Sequence, residues 1–504
     1  MIIITTYYIY PIAIQVDGCV DNATVANKFM DHFSHICTST NDAHSQALKT
    51  DFVELKRTYV GLPLTSEYLF DVELIDRVIS ELKRGKAAGL DNITAEHLQY
   101  CHPAMKSLLA KLFNLMFEFS YIPRSYGYSY IVPIPKPKNF LNKALTTDDF
   151  RGIAISSLLS KVYESCIYNR FQCFLYSSDN QYGFKKRSGC NHAIYTLHNV
   201  VNHYVDGGCT VNLCSIDLSK AFDKVDHCAL FMKLMKRQIP LKLLDTLVFW
   251  LQNSWSCVKW KSVFSQFFRL DYGVRQGSIL SPYLFALYVD DITNCLSFAQ
   301  KPLLIMYADD IILIAPSLSA LQELLNKCEQ ELNWLGMSIN VKKSCCMRIG
   351  PRCDVSCANI TTGNGEQLPW VKELRYLGLY IVQSRRFKCA IHEHKKSFCR
   401  SVNAIFGKVG RAASEEVILQ LISSKCMPVL LYGLESIPLP KSDIKSLDFT
   451  FNRFLMKLFK TTDINVVTNC QIYFGMQPPS ELLSKRRSKF LQVYKDSQNS
   501  LHHY

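Results

Sequence analysis

The sequence lacks the features of membrane, secreted, fibrous and repeat proteins. Its longest apolar run, residues 1–14, is interrupted by Pro11 and is shorter than the ~20 residues that a membrane-spanning helix requires. No positively charged segment precedes that run, which excludes an ordinary signal peptide. The chain has no internal repeat, and its 20 cysteines follow no regular spacing, so we expect reduced thiols rather than a disulfide framework. These absences predict a soluble intracellular protein without a membrane partner.

Length and charge describe a globular chain with one basic end. The 504 residues are 48% hydrophobic and 20% charged, a composition typical of proteins with a packed core. This length predicts about three structural units. Of the formal net charge of +14, most lies in residues 381–504, which hold 19 Lys and Arg against 9 Asp and Glu. Such a segment indicates either a module that binds a polyanion or a solvated surface.

Two adjacent aspartates interrupt the most apolar hairpin in the sequence. Residues 303–315 predict two buried strands around Tyr307-Ala308-Asp309-Asp310, and this run contains no Lys or Arg. A buried carboxylate requires a strong partner, and a divalent cation such as Mg²⁺ suits carboxylate oxygens. The sequence therefore predicts that Asp309 and Asp310 bind metal.

Other aspartates receive different interpretations. Asp217 ends an apolar run, residues 209–218, that predicts a strand, and it could supply the third carboxylate of a two-metal site. Asp290-Asp291 follows a short helical pattern, so we interpret this pair as solvated residues at a helix end. Asp223 and Asp226 follow a turn and are interpreted as caps at the start of a helix.

The coarse secondary structure favours an α+β fold. Asp71 is expected to cap a helix that extends to about Lys86. A later helix is predicted from apolar residues at helical spacing, with three basic residues on another face: Ile444, Leu447, Phe451, Leu455 and Leu458, then Arg453, Lys457 and Lys460. Strands and helices are mixed without regular βαβ alternation, which is typical of the α+β class.

Several motifs, in their order, resemble those of one known family. The main ones are CSIDLSKAFDKVDH (214–227), GVRQGSILSP (273–282) and YADD (307–310). Together they resemble the reverse transcriptases of non-LTR (LINE-type) retrotransposons. Shorter stretches resemble the motifs that flank these in the family: residues 86–91, 134–136, 150–155, 181–185, 336–344 and 376–378. The similarity extends from about residue 65 to 385.

The resemblance implies a fold and a reaction. The fold is an α+β polymerase shaped like a right hand, with fingers, a thumb and a palm built on an antiparallel sheet. Asp217, Asp309 and Asp310 would be catalytic and, with the backbone carbonyl of Leu218, would bind two Mg²⁺ ions, which Mn²⁺ can replace. The reaction is attack of a primer 3′-hydroxyl on a dNTP, which copies an RNA template into DNA.

The resemblance also implies a group of nucleotide-binding residues. These are Lys136 and Arg151 for the phosphates, Phe222 as the steric gate against a 2′-hydroxyl, Gln276 and Gly277 in a loop that approaches template and nucleotide, and Lys343 as an acid toward pyrophosphate. For Phe222, packing in the core is the alternative.

The same resemblance predicts the organisation of the chain. We expect a lead-in segment (1–64), a reverse transcriptase domain (65–385), and a thumb with a basic C-terminal region (386–504). Seven basic residues of the last segment are expected to contact nucleic acid: Arg453, Lys457, Lys460, Lys485, Arg486, Arg487 and Lys489. Relatives usually carry an endonuclease before the polymerase and about 65 residues precede it here, so we expect a truncated element or a partial gene.

The partners implied are an RNA template, a DNA or RNA primer and dNTPs, and the location implied is the nucleus. Two alternatives stay open. One is a truncated or repurposed copy that binds RNA without polymerising. The other is a reverse transcriptase of the group II intron or telomerase type.

Overall fold

Helices and mainly antiparallel strands are interspersed along the chain. The computed structural model describes residues 15–39, 41–136, 144–295, 303–409, 412–497, 499 and 501; the apolar run 1–14 lies outside them. The helices are α1 (Asn22–Ile36), α2 (Asp42–Thr58), α3 (Val72–Ser80), α4 (Ala95–Gln99), α5 (Ala104–Glu118), α6 (Arg124–Gly127), α7 (Leu158–Phe171), α8 (Cys190–Asp206), α9 (His227–Lys236), α10 (Leu241–Gln252), α11 (Ser281–Val289), α12 (Leu318–Trp334), α13 (His392–Val409), α14 (Glu415–Leu421), α15 (Met427–Leu430), α16 (Lys441–Phe459), α17 (Ile464–Tyr473) and α18 (Pro479–Lys495). The strands are β1 (Tyr128–Pro135), β2 (Phe150–Ser156), β3 (Val211–Ile216), β4 (Trp255–Trp260), β5 (Val263–Phe264), β6 (Phe268–Arg269), β7 (Leu303–Tyr307), β8 (Asp310–Ala315), β9 (Cys345–Ile349), β10 (Ile360–Thr361), β11 (Gln367–Leu368), β12 (Glu373–Tyr376), β13 (Leu379–Val382) and β14 (Lys388–Ala390). The predicted α+β class is confirmed.

The chain divides into two compact units, each assembled from several stretches of sequence. Unit 1 comprises Met1–Ser177, Ser219–Asp291 and Leu332–Ser338. Unit 2 comprises Ser178–Leu218, Ile292–Glu331 and Ile339–Tyr504. The boundaries predicted after residues 64 and 385 stay a prediction.

Unit 1 contains a sheet in the order β2-β1-β4-β5, with β6 also paired to β4. The β1–β2 pairing is antiparallel and the β1–β4 pairing is parallel. Helix α1 packs on this sheet through Phe29, whose ring centroid lies 4.9 Å from that of Phe150 and 5.2 Å from that of Trp260. Aromatic contacts of this kind stabilise a fold by more than the apolar area that they bury, so they help to fix the helix on the sheet.

Unit 2 contains a four-stranded antiparallel sheet in the order β7-β8-β3-β9. The predicted hairpin of residues 303–315 is confirmed as β7 and β8, and the predicted strand of residues 209–218 is the shorter β3. Side chains that alternate along these strands, such as Leu213, Ile305 and Ile312, belong to one buried core. The alternate side chains on the opposite face are buried as well, so both faces of this sheet are packed.

Helix α3 is shorter than predicted. Asp71 caps its start as expected, accepting a hydrogen bond from the Leu74 N–H at 2.7 Å. The helix nevertheless ends at Ser80 rather than near Lys86. The Gln99 side chain explains this end, because its Nε2 donates to the carbonyls of Ile79 and Leu82 at 3.1 and 2.9 Å and so satisfies groups that would otherwise favour another turn.

Helix α16 confirms the apolar face predicted for it. Leu447, Phe451, Leu455 and Leu458 are buried, and Ile444 is half-buried. The predicted basic face is correct only in part, because the helix ends at Phe459 and Lys460 is its C-cap, with a left-handed φ of 52°. No helix in the described ranges is long and apolar enough to cross a membrane.

The two faces of α16 provide a stability test. Phe451 is fully buried, whereas Phe449 on the same helix is 61% exposed. We expect Phe451→Ala to lower the free energy of unfolding by about 3–5 kcal/mol, through lost burial and the cavity left behind. Phe449→Ala, the matched control, should change it by less than about 0.5 kcal/mol. Urea denaturation measures both, and equal losses would contradict the packing described for α16.

Candidate active site

The sheet of unit 2 brings the three predicted catalytic aspartates to one end. β3 pairs with β8 in a register that sets Ile216 opposite Ile311. Asp217 follows β3 and Asp310 begins β8, so these two residues occupy the next position of the same register. Asp309 lies one residue earlier, in the turn between β7 and β8. Antiparallel pairing therefore gathers aspartates that are far apart in sequence.

Negative charge dominates this end of the sheet. The pKa of Asp310 is raised to about 6, first by partial burial and then by the charges of Asp309 and Asp217. Arg375 and Lys343 oppose that rise, and Lys343 Nζ lies 3.2 Å from Asp217 Oδ2. Two cations thus face three carboxylates, which leaves negative charge that a divalent cation would neutralise.

The residues fit a hard cation that shares its coordination with substrate. Within the described part of the chain, no three His, Cys, Asp or Glu side chains are arranged as a ready metal cage. Mg²⁺ does not need one, because it usually binds one or two protein carboxylates and completes its shell with water and substrate phosphate. Leu218, the predicted carbonyl ligand, is buried and its backbone bridges to Ile339.

The segment after Ile339 connects Lys343 to the acidic end of the sheet. The Asn340 N–H donates to the Asp217 carbonyl at 2.8 Å, and the Asp217 N–H donates to Ser344 Oγ at 3.1 Å. These two hydrogen bonds, one to a backbone carbonyl and one to a side-chain hydroxyl, flank Lys343 in sequence and hold it beside Asp217. These hydrogen bonds explain why the sequence motif that contains Lys343 lies next to Asp217.

Unit 1 brings three of the predicted nucleotide-binding residues together. The Phe222 ring stacks on Phe285, with centroids 4.2 Å apart, and the Phe222 carbonyl accepts the Val274 N–H at 2.9 Å. The loop that starts at Val274 continues through Gln276, whose carbonyl accepts the Ala154 N–H at 2.9 Å. Gly277 has a φ of 130°, and a Cβ there would lie 2.3 Å from the Ala154 carbonyl oxygen. The loop therefore requires glycine at position 277.

Lys136 and Arg151 lie at one end of the β1–β2 pair. Arg151 is exposed and opposite Ile134, and the Lys136 N–H donates to the Asp149 carbonyl at 2.8 Å. Lys136 Nζ also donates to the Asp148 carbonyl at 2.5 Å. These residues belong to unit 1, whereas the three aspartates and Lys343 belong to unit 2.

Of the two predicted caps, one is confirmed and the other is wrong. Asp226 caps α9 by accepting the Ala229 N–H at 3.0 Å. Asp223 caps no helix; its two carboxylate oxygens lie 3.3 and 3.4 Å from Gln276 Nε2. The sequence offered no signal for this contact, because Gln276 comes 53 positions later.

The interpretation of Asp290-Asp291 as solvated is wrong for Asp290, whereas Asp291 is half-exposed. The pair follows α11 as predicted, but Asp290 is buried and lies 2.8 Å from Arg237, and Asp291 lies 2.7 Å from the buried Lys233. Lys233 belongs to α9 and Arg237 is its C-cap, so both cations come from far earlier in the chain. Ion pairs with these two cations account for both acids without a catalytic role.

The predicted nucleic-acid-binding residues differ in their surroundings. Arg453 and Lys457 are exposed and line a groove of about 680 Å³ together with Lys395 and Lys396. In α18, Lys485 pairs with Glu481 at 2.8 Å and Arg487 donates to the Glu435 carbonyl at 3.2 Å. The remaining members of the set are the C-cap Lys460, the half-buried Arg486 and the exposed Lys489.

The burial of the Asp223 carboxylate, which outweighs its contact with Gln276, predicts a pH-dependent stability. Partial burial raises the pKa of Asp223 to about 6, so the folded protein binds its proton more tightly than the unfolded chain and loses stability as the pH rises from about 4 to 6. Asp223→Asn, which keeps an acceptor for Gln276, should stabilise the protein by roughly 1–3 kcal/mol at pH 7.5 and hardly at all at pH 4. Thermal unfolding at both pH values measures this. Asp354→Asn, at an exposed position, is the control. Stabilisation by Asp223→Asn at pH 4 but not at pH 7.5 would contradict the predicted direction of the pH dependence.

Comparison with known proteins agrees with this geometry. Residues 134–381 match the family described as "Reverse transcriptase (RNA-dependent DNA polymerase)". The chain is 27% identical over 311 residues to a probable RNA-directed DNA polymerase from transposon BS of Drosophila melanogaster, covering 58% of this chain and 32% of that protein. It is 26% identical over 345 residues to the RNA-directed DNA polymerase from mobile element jockey of Drosophila funebris, covering 65% and 37%.

The chain therefore spans about a third of the length of these curated relatives. Among solved structures, an apo telomerase from Candida tropicalis, truncated from its C-terminal domain, aligns with a TM-score of 0.37 and 16% identity over 57% of this chain and 60% of that one. Polymerases of the matched family use divalent metal ions, in keeping with the acidic end of the unit 2 sheet. The chain thus carries a reverse transcriptase domain of the kind found in non-LTR retrotransposons.

Proposed function

We propose that the protein is an RNA-directed DNA polymerase that extends a primer 3′-hydroxyl with dNTPs on an RNA template. The single observation that carries this proposal is the β3–β8 register, in which Ile216 pairs with Ile311, so that Asp217 and Asp310 take the next position beside Asp309. Three carboxylates at the end of an antiparallel sheet, with excess negative charge, are suited to phosphoryl transfer assisted by metal.

The proposed ligands are Asp217, Asp309, Asp310 and the Leu218 carbonyl, and the proposed cofactor is a pair of Mg²⁺ ions. Such ions, when bound, lower the pKa of the primer hydroxyl and stabilise the departing pyrophosphate. The protein's own share is positioning. Lys343, held beside Asp217 by the hydrogen bonds of Asn340 and Ser344, would present its ammonium proton to the leaving group.

The proposed nucleotide site consists of Lys136, Arg151, Phe222, Gln276 and Gly277. Lys136 and Arg151 would neutralise the triphosphate, and Phe222 would exclude a 2′-hydroxyl because its ring is held by Phe285. Gln276 and the small Gly277 would allow template and nucleotide to approach the backbone. The partners proposed are an RNA template and a DNA or RNA primer, and the proposed place of action is the nucleus.

The metal assignment predicts the effect of removing one carboxylate. Asp309→Ala should abolish primer extension on an RNA template with Mg²⁺ and dNTPs, because a ligand of the reacting centre is lost, while RNA affinity stays within about twofold. The matched control is Asp354→Ala, an exposed acid of unit 2, which should extend normally.

The primer-extension assay distinguishes the metal assignment from the alternative function. Extension by Asp309→Ala would refute the metal assignment. No extension by the wild type, with salt-sensitive RNA binding intact, would favour the alternative of a copy that binds RNA without polymerising.

The basic groove predicts how RNA binding depends on salt. Arg453→Ala and Lys457→Ala should each reduce the slope of log affinity against log salt by about one unit if each cation contacts a phosphate. Lys485→Ala should reduce it less, because Glu481 already pairs with Lys485. Fluorescence anisotropy with a labelled RNA measures the slopes. Unchanged slopes for the Arg453 and Lys457 variants would show that this groove does not contact RNA phosphates.

A further inference from the structure

The turn that carries Asp309 has a backbone conformation that alanine seldom adopts. Ala308 and Asp309 form the two-residue connection between Tyr307 and Asp310. Ala308 is buried and has a φ of 57°, in the left-handed region. Glycine is the usual residue at such a position, because a Cβ crowds the following carbonyl. The turn therefore depends on contacts from outside the hairpin.

One side chain supplies those contacts to both backbone polar groups of Ala308. Gln181 Oε1 accepts the Ala308 N–H at 2.9 Å, and Gln181 Nε2 donates to the Ala308 carbonyl at 3.3 Å. The same Oε1 accepts the Gly183 N–H at 2.8 Å. Because a backbone N–H can only donate, these two contacts identify the oxygen end of the carboxamide. Gln181 is fully buried, so water does not compete for these bonds.

The segment around Gln181 follows the edge of β7 up to the turn. The Met306 N–H donates to the Asn180 carbonyl and the Tyr182 N–H donates to the Met306 carbonyl, both at 2.8 Å. At Gly183 a Cβ would lie 2.6 Å from the Ala308 nitrogen. This close approach explains the glycine two residues after Gln181 and shows that the segment is fitted to the turn.

We infer that Gln181 is a positioning residue for the catalytic aspartates: it holds Ala308 in the left-handed conformation and thereby sets the directions of Asp309 and Asp310. The inference rests on the proposed function where it concerns metal. Loss of the carboxamide leaves three buried backbone groups without this partner, the N–H and carbonyl of Ala308 and the N–H of Gly183, and allows the turn to relax. Contacts that support metal ligands in this way typically change metal affinity by about 10–100-fold.

The test replaces Gln181 by methionine, which has a similar volume and cannot make these hydrogen bonds. Two quantities are measured on the full chain without nucleic acid: Mn²⁺ affinity, from the free-ion signal in electron paramagnetic resonance, and the hydrogen-exchange rate of the Ala308 amide. We expect the affinity to fall by about 10–100-fold and the amide to exchange at least about tenfold faster. If Gln181→Met does not fold, Gln181→Asn, which is shorter by one methylene, carries the same expectation.

A matched control and a rescue separate positioning from general support of the fold. Tyr182→Phe removes a buried hydrogen bond to Thr196 of 2.9 Å in the same segment and should change neither quantity. Ala308→Gly relieves the left-handed strain, so the Gln181→Met/Ala308→Gly double variant should recover Mn²⁺ affinity to within about threefold of the wild type.

Unchanged Mn²⁺ affinity in Gln181→Met, an equal loss in Tyr182→Phe, or no recovery in the double variant would each overturn the inference. If the wild type itself binds no Mn²⁺, the proposed metal site fails instead. The hydrogen-exchange rate of the Ala308 amide would then still test whether Gln181 stabilises the turn.

Discussion

Repulsion among three carboxylates is the constraint on which the candidate site depends. Asp217, Asp309 and Asp310 are gathered by strand pairing rather than by mutual attraction, and the pKa of Asp310 is raised first by desolvation and then by the charges of the other two aspartates. A buried apolar sheet supplies the stability that keeps them together. Packing in unit 2 thus keeps three carboxylates close together that would move apart in a flexible chain.

The residues around the acids moderate that repulsion without cancelling it. Lys343 contacts Asp217, and Arg375 on β12 lowers the pKa of Asp310. Full neutralisation by protein cations would leave no place for a metal, whereas a site without cations would be costlier to fold. Arg375 was missed by the sequence analysis; the one signal was its position just before the Tyr376-Leu377-Gly378 motif.

Local patterns predicted the elements well, and long-range contacts explain the errors. The hairpin of residues 303–315, the strand that leads to Asp217 and the apolar face of α16 all follow from the order of residues in short windows. The early end of α3 depends on Gln99, and the environment of Asp290 on Arg237, and no short window contains such pairs. Asp223 was misread for the same reason, since a carboxylate after a turn is usually a cap. Gln181 lies within a recognised motif, but its contact with Ala308 spans 127 residues and depends on the fold.

The order of strands in the unit 2 sheet has a consequence for synthesis of the chain. β3 is the inner strand between β8 and β9, yet both neighbours come about 100 or more residues later. At ~5–20 residues per second, a ribosome needs roughly 5–25 s to deliver them. During that interval an apolar strand with two unpaired edges has left the ribosome, and such edges are prone to aggregate. We therefore expect the nascent chain to depend on chaperones while β3 awaits its partners.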